Sequence, residues 1–483
     1  MASYRIAVLM VLVLALAGCS SGPATEPTNP ATDGATTDPA TDGATTDPTT
    51  DAPPRTTGEP TTVGTPAERT AVPTFPATTD VADPPDPRAV PENFEHDPSV
   101  DVIYRRVEAL RGLAAREQVT VSVHEIVIVN TETNEQMHVG DPFDYPDDAA
   151  GMDETQTKAL QLYSSRPVPL TGYAAAGMAR ATNVDVANES AYERIANDSF
   201  DVLLVHEFAH TLQEQHDVID RGRLTETTDA DLADAMLSEG DATLTAYRYW
   251  QRYDAAGGNP LVLRNTTTSR GHWTLGFYDK TRYYGAKYLQ TVPEDRWNAH
   301  VRHPPDTTAE VMHPNATWDL PGPAVTAPAP DDWQADRRNR VGELTIRYAL
   351  RTNDIPYQRA AAASTGWWND SMRTYDRPNG VAASWSTRWA NASDAREFAS
   401  AWRTMLSNLN ATRNDGVLTV PGTEHRPEMH YVVVVDGPVV HVAAASTAAD
   451  ARAIAAASGA WNATSTHERA SILPHHPVVL YCR

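Results

Sequence analysis

The chain has 483 residues, 41% of them hydrophobic, and a formal net charge of -24. That apolar content can bury the core of one large or two ordinary domains, which excludes a chain disordered throughout. The acidity excludes a nucleic-acid partner, because phosphate backbones are held by clusters of lysine and arginine and no such cluster occurs here.

Only three lysines, Lys158, Lys280 and Lys287, stand among the 39 basic residues. An acidic surface served almost entirely by arginine suits concentrated salt, where carboxylates stay hydrated and repulsion is screened within about 3 Å. A halophilic archaeon is the expected source.

The chain starts with one charge at Arg5 and an apolar run from Ile6 to Ala17. The run is too short to span a bilayer, so residues 1–18 read as a signal peptide. Leu16-Ala17-Gly18-Cys19 resembles the lipobox of exported lipoproteins, which implies lipidation of Cys19 and attachment to the extracellular face of the membrane. Cys482 then has no partner for a disulfide, so stability must come from packing, salt or metal.

Residues 19–95 are rich in Thr, Pro, Asp, Ala and Gly and include a tandem repeat, ATDGATTDPATDGATTDP, at 31–48. Such a segment cannot form a core and reads as a disordered stalk, open to O-glycosylation. Asn188, Asn197, Asn265, Asn315, Asn369, Asn391, Asn410 and Asn462 head N-x-[ST] sequons, as on a surface glycoprotein.

A first ordered domain is expected over 96–330. Val102, Val107, Leu110 and Leu113 fall at helical spacing, and VTVSVHEIVIV (119–129) is a strand by its β-branched content. TNVDV (182–186) is a second extended piece. A helix is predicted after Asn197-Asp198-Ser199, whose side chains can cap it, running through Val202, Phe208 and Leu212. That helix carries HEFAHTLQEQH, residues 206–216.

His206 and His210 lie four residues apart, so both imidazoles can face one ion across about 6 Å, with Glu207 in reach of the water it holds. This is the HExxH pattern of zinc hydrolases. Catalytic zinc takes a third protein ligand and keeps a fourth position open. His216 stands where the metzincin pattern HExxHxxGxxH puts that ligand, but six residues of unbroken helix turn it about 240° away and 9 Å along. Metzincins break the helix with glycine, whereas this sequence has Gln213, a helix former.

The favoured third ligand is Glu239, in AMLSEGDATLTAYRYW (235–250). This segment is helical in content apart from Gly240, which costs about 1 kcal/mol there and so points to close packing or a ligand. Ala235, Gly240, Ala242, Thr243 and Ala246 would let it approach the first helix. Asp241 or Asp234 can orient a ligand histidine. Tyr247, Tyr284 and His313 are the candidates to stabilise an oxyanion, Tyr284 and His313 entering the expected catalytic set beside Glu207.

HEFAHTLQEQHDVID followed by LSEGDATL resembles a group of exported haloarchaeal and bacterial HExxH surface lipoproteins of the gluzincin-like metallopeptidase superfamily. The similarity extends through HPPDTTAEVMHP (303–314), GWWND (366–370) and the Trp389 segment. It implies an α+β, zincin-like domain in which Zn2+ is held by two histidines and a glutamate. The NExxxD of thermolysin-like enzymes and the GxMEN of M1-type aminopeptidases are missing, so an endopeptidase is expected rather than an exopeptidase.

Residues 331–483 form a smaller α+β unit. RVGELTIRYALRT (340–352) reads as a helix, VAASWSTRW (381–389) as a strand and ASDAREFASAWRTML (392–406) as a helix. YVVVVDGPVVHVAAA (431–445) reads as a hairpin turning at Asp436-Gly437, and 447–458 as an alanine-rich helix. No chemical motif appears there. The sequence thus predicts a lipid-anchored surface metallopeptidase that hydrolyses peptide or protein with Glu207 as general base. The alternative is a surface binding or adhesion lipoprotein with a structural metal. A solute-binding lipoprotein is disfavoured by the lack of two repeated α/β lobes.

Overall fold

The computed structural model describes residues 84–124, 154–162, 177–195, 198–219, 227–261, 273–316, 325–331, 333–375, 377, 380–423 and 426–460. The segment read as a signal peptide, Cys19, the segment read as a stalk up to residue 83, Cys482 and residues 125–129 of the strand expected over 119–129 lie outside them.

In chain order β1 (Ala89–Pro91) leads to α1 (Val100–Arg111), β2 (Val119–His124), α2 (Glu154–Ala159), β3 (Gly177–Ala179), β4 (Asn183–Ala187) and α3 (Glu189–Ile195). Ser99 caps α1 by accepting from the Val102 amide, and Gly112 ends it in a left-handed conformation at φ 65°. The buried face is Ile103, Tyr104, Val107 and Leu110. Val102, grouped with that face by spacing, is 39% exposed.

These strands form a four-stranded sheet in the order β1-β2-β4-β3. β1, β2 and β4 run parallel, with Val121 opposite Val184, while β3 pairs antiparallel to β4 at the sheet's end. Val121, Val184 and Val186 are fully buried.

Next come α4 (Phe200–Gln215), α5 (Thr228–Tyr253), α6 (Trp273–Leu289), α7 (Trp297–Arg302) and α8 (Thr308–Met312). α4 packs beneath β3 and β4 and against α1 and α5. It is buried on nearly all sides, His206, Glu207 and His210 included. Ser199 is its N-cap residue without a side-chain capping bond, and Asp198 instead accepts from the Tyr192 hydroxyl. The start of α4 is held by His96, whose Nε2 lies 2.6 Å from Asp201 Oδ1 and whose ring packs edge-on to Phe200.

The Thr227 hydroxyl caps α5 by accepting from the Ala230 amide. Gly240, inside α5, lies against Gly285 of α6: a Cβ on Gly240 would overlap the Gly285 backbone, and one on Gly285 the Met236 carbonyl. The mid-helix glycine therefore serves contact with α6, a helix the sequence reading did not anticipate, rather than approach to α4.

The remainder is β5 (Ala335–Asn339), α9 (Gly342–Thr352), α10 (Tyr357–Ser364), β6 (Trp367–Tyr375), β7 (Ala382–Trp389), α11 (Ala392–Asn408), β8 (Thr412–Asn414), β9 (Val417–Val420), β10 (Met429–Asp436), β11 (Val439–Ala445) and α12 (Ala448–Ala457). Its seven strands form an antiparallel sheet in the order β5-β6-β7-β11-β10-β9-β8. Asp436 pairs with Val439, so the two-residue loop is Gly437, at φ 57°, and Pro438, one position later than the Asp436-Gly437 turn read from the sequence. Trp385, Trp389, Phe398 and Trp402 stack between the sheet and α11. The protein is thus mixed α+β. One apolar cluster runs from Tyr104 and Phe208 to Trp385 and Trp402, joined where α9 packs on α5, α6 and α8.

Candidate metal centre

One turn of α4 separates His206 from His210, and their Nε2 atoms lie 3.2 Å apart. Glu239 comes from α5: its Oε2 is 3.1 Å from His206 Nε2 and its Oε1 is 3.5 Å from His210 Nε2. The three ligating atoms all lie within 4.8 Å of one another and all three residues are buried, a group able to hold a metal ion. His216 is elsewhere. α4 continues unbroken past Gln213, and His216 Nε2 bonds the Ala114 carbonyl oxygen at 2.7 Å.

Gln213 does more than keep the helix running. Its Nε2 donates to Asp241 Oδ2 at 2.8 Å and to the Ser238 carbonyl at 3.0 Å, and these acceptors fix which end of the amide is which. Its Oε1 is therefore the acceptor for His210 Nδ1 at 2.8 Å. A proton held on Nδ1 leaves the Nε2 lone pair for a metal. Asp241 is anchored in turn by Arg111 at 2.8 Å. Asp241 thus orients His210 through Gln213 rather than directly, while Asp234 acts on Asp231, whose pKa burial raises first and the Asp234 charge raises further.

Burial, then the charge of Arg282, pushes His206 down to about 3, so its imidazole is neutral at any ordinary pH. Burial alone would raise the Glu239 carboxyl, but His210, His206 and Arg282 outweigh it and hold it well below the carboxylate range. Burial opposes protonation of His210 too, yet Glu239 and Glu207 raise it above the ordinary histidine value. A neutral donor, an ionised carboxylate and a histidine whose proton a cation can displace form a set that fits a divalent ion.

Glu207 is 3% exposed and lies against the backbone of β3. A Cβ on Gly177 would sit 2.5 Å from Glu207 Oε1, so only glycine there leaves the carboxylate its place. Gly177 carries no sequence signal of its own and was not anticipated.

The oxyanion candidates have other engagements. The Tyr284 hydroxyl accepts from Arg347 Nη1 at 2.8 Å and lies 3.2 Å from the Tyr357 hydroxyl. His313 Nε2 is 3.0 Å from both oxygens of Glu343, itself paired with Arg347 at 2.8 Å. The Tyr247 hydroxyl accepts from Gln251 Nε2 at 2.8 Å. The side chain that does reach the metal group is Arg282 of α6. Its Nε donates to Glu239 Oε2 at 3.1 Å, and its Nη2 stands 3.2 Å from His206 Nε2.

A family model described as Domain of unknown function (DUF8575) matches residues 331–455, the stretch holding β5 through most of α12. The metal group precedes that stretch. No curated protein and no solved structure matches the chain.

Proposed function

We propose that the protein is a zincin-like metallopeptidase of the gluzincin type, cleaving peptide bonds at the cell surface with zinc held by His206, His210 and Glu239. The observation that carries this reading is a carboxylate, Glu207, buried beside a group of two histidines and one glutamate whose ligating atoms all lie within 4.8 Å of one another. Two histidines and a glutamate with an open fourth position are a catalytic rather than a closed structural zinc set. The bound ion supplies Lewis acidity.

The chain's own residues supply the rest. Glu207 takes a proton from water as the water oxygen attacks the peptide carbonyl carbon. It returns that proton to the amide nitrogen as the C–N bond breaks, leaving a carboxylate and an amine. Gln213 keeps His210 in the tautomer that presents Nε2. Gly177 of β3 leaves the Glu207 carboxylate the space it occupies. Export and anchoring through Cys19 would place this activity outside the membrane.

The test is Glu207→Gln, purified with zinc in high salt and given a broad peptide library. The expected outcome is stoichiometric metal and no cleavage, and cleavage at the wild-type rate would end the hydrolytic reading. Zinc without turnover in the wild type would favour a binding module.

A further inference from the structure

Arg282 bonds one metal-group carboxylate and stands at the nitrogen of a second member of that group, with its side chain 20% exposed. A guanidinium keeps its charge at every physiological pH and offers five donors in a rigid fork. Holding Glu239 uses one of them, Nε. Nη2 stands 3.2 Å from His206 Nε2, an atom that coordination would take from it. Peptide hydrolysis puts negative charge on the carbonyl oxygen in its transition state, and a fixed donor at that oxygen is often the largest single catalytic contribution. Tyr247, Tyr284 and His313 have hydroxyl or ring partners elsewhere, whereas Arg282 reaches this place from α6.

We infer that Arg282 is the oxyanion-stabilising residue of the site, donating from Nη2 to the substrate carbonyl oxygen while Nε stays on Glu239. The inference rests on the hydrolytic reading above. As water attacks, the carbonyl π pair moves to oxygen, and Nη2–H bonds that alkoxide. The pair returns to re-form C=O when the C–N bond breaks and the amine takes the proton from Glu207.

Two roles must be separated: acting on the oxyanion, and merely placing Glu239. Zinc-loaded wild type, R282K, R282Q and R282A are compared for thermal unfolding, metal content and kcat and KM on a library peptide the wild type cleaves. In a Glu207→Gln background, calorimetry then reads the binding of a phosphinic analogue of N-acetyl-trialanine, tetrahedral and anionic at the reacting centre, beside N-acetyl-trialanine itself. R282Q is expected to keep one zinc per chain and bind the amide within a few-fold of wild type. It should lose roughly 10²–10³-fold in kcat and a comparable factor in affinity for the phosphinic compound. Added guanidinium ion should restore part of the R282A rate.

Loss of zinc from folded R282Q in step with its activity would reduce Arg282 to a positioning residue for Glu239. Unchanged phosphinic affinity would overturn the inference outright. An inactive Glu207→Gln beside fully active Arg282 variants would remove only this inference, whereas an active Glu207→Gln would remove the hydrolytic reading beneath it.

Discussion

Gln213 Oε1 accepts from His210 Nδ1 at 2.8 Å, and the same amide donates to Asp241 2.8 Å from its other end. A residue that argues against one metal ligand, by keeping α4 helical up to His216, also prepares another. Gln213→Leu keeps the volume and the helix but removes the acceptor and strands Asp241 with Arg111 alone. Metal affinity should fall about 10- to 100-fold, as is usual when a ligand histidine loses its orienting partner. Chelator competition measures it, and an unchanged affinity would show that the helix alone holds His210.

The third ligand can be decided by two substitutions side by side. Glu239→Ala removes the one carboxylate whose oxygens approach both histidines, at 3.1 and 3.5 Å. It should empty the site. His216→Ala removes a buried ring bonded to the Ala114 carbonyl. It should keep full metal and cost roughly 1–3 kcal/mol through the unsatisfied carbonyl. Metal analysis of both proteins, with urea unfolding of the second, gives the answer, and zinc lost only from His216→Ala would reverse the assignment.

His206, Glu207 and His210 were legible as a group because helical spacing places side chains before any tertiary structure is known, and Glu239 because His216 is carried away along the helix and zinc needs a further ligand. The strand of 381–389, the helix of 392–406 and the hairpin of 431–445 were legible too, since period-2 and period-3.6 patterns persist over those runs, whereas the short strands β8 and β9 were not. Arg282 and Gly177 were not. Each meets a neighbour distant in sequence, Glu239 for one and Glu207 for the other, and neither stands in a pattern. Val102 shows the related limit within one helix: spacing alone allowed two faces, and burial of Ile103 and Tyr104 chose between them.

Gly285 is where α5 and α6 meet backbone to backbone, since a Cβ would overlap the Met236 carbonyl. Gly285→Ala cannot be relieved by turning a flexible side chain. It should cost about 1–3 kcal/mol or force the helices apart. Because Glu239 and Arg282 sit one turn from this contact on the two helices, metal affinity should fall with stability. Thermal unfolding with and without added zinc separates the two effects, and an alanine variant as stable as wild type would mean the helices part freely.

Gly177→Ala places a methyl group 2.5 Å from the Glu207 carboxylate, and the nearest atoms it meets all belong to Glu207. Metal content should stay at wild type while turnover drops, on the order of 10²-fold for a displacement near 1 Å. A variant with normal turnover would mean that Glu207 works from a position other than the one it holds against β3.

His96 sets a pH dependence on the start of α4. Its bond to Asp201, with help from Glu189, raises its pKa above 6.5 although burial opposes the charge. A folded-state value above the unfolded one means the stabilisation is fully present below pH 6.5 and is lost as pH climbs through the raised value. His96→Gln should therefore cost stability at pH 6 and much less at pH 9. The ring is packed, but Glu189 is open to solvent, so screening keeps the pH-dependent part below about 1 kcal/mol. Urea unfolding at both pH values in the same salt reads the difference. An equal loss at pH 6 and pH 9 would show that the ring's packing on Phe200, rather than its charge, holds this segment to α4.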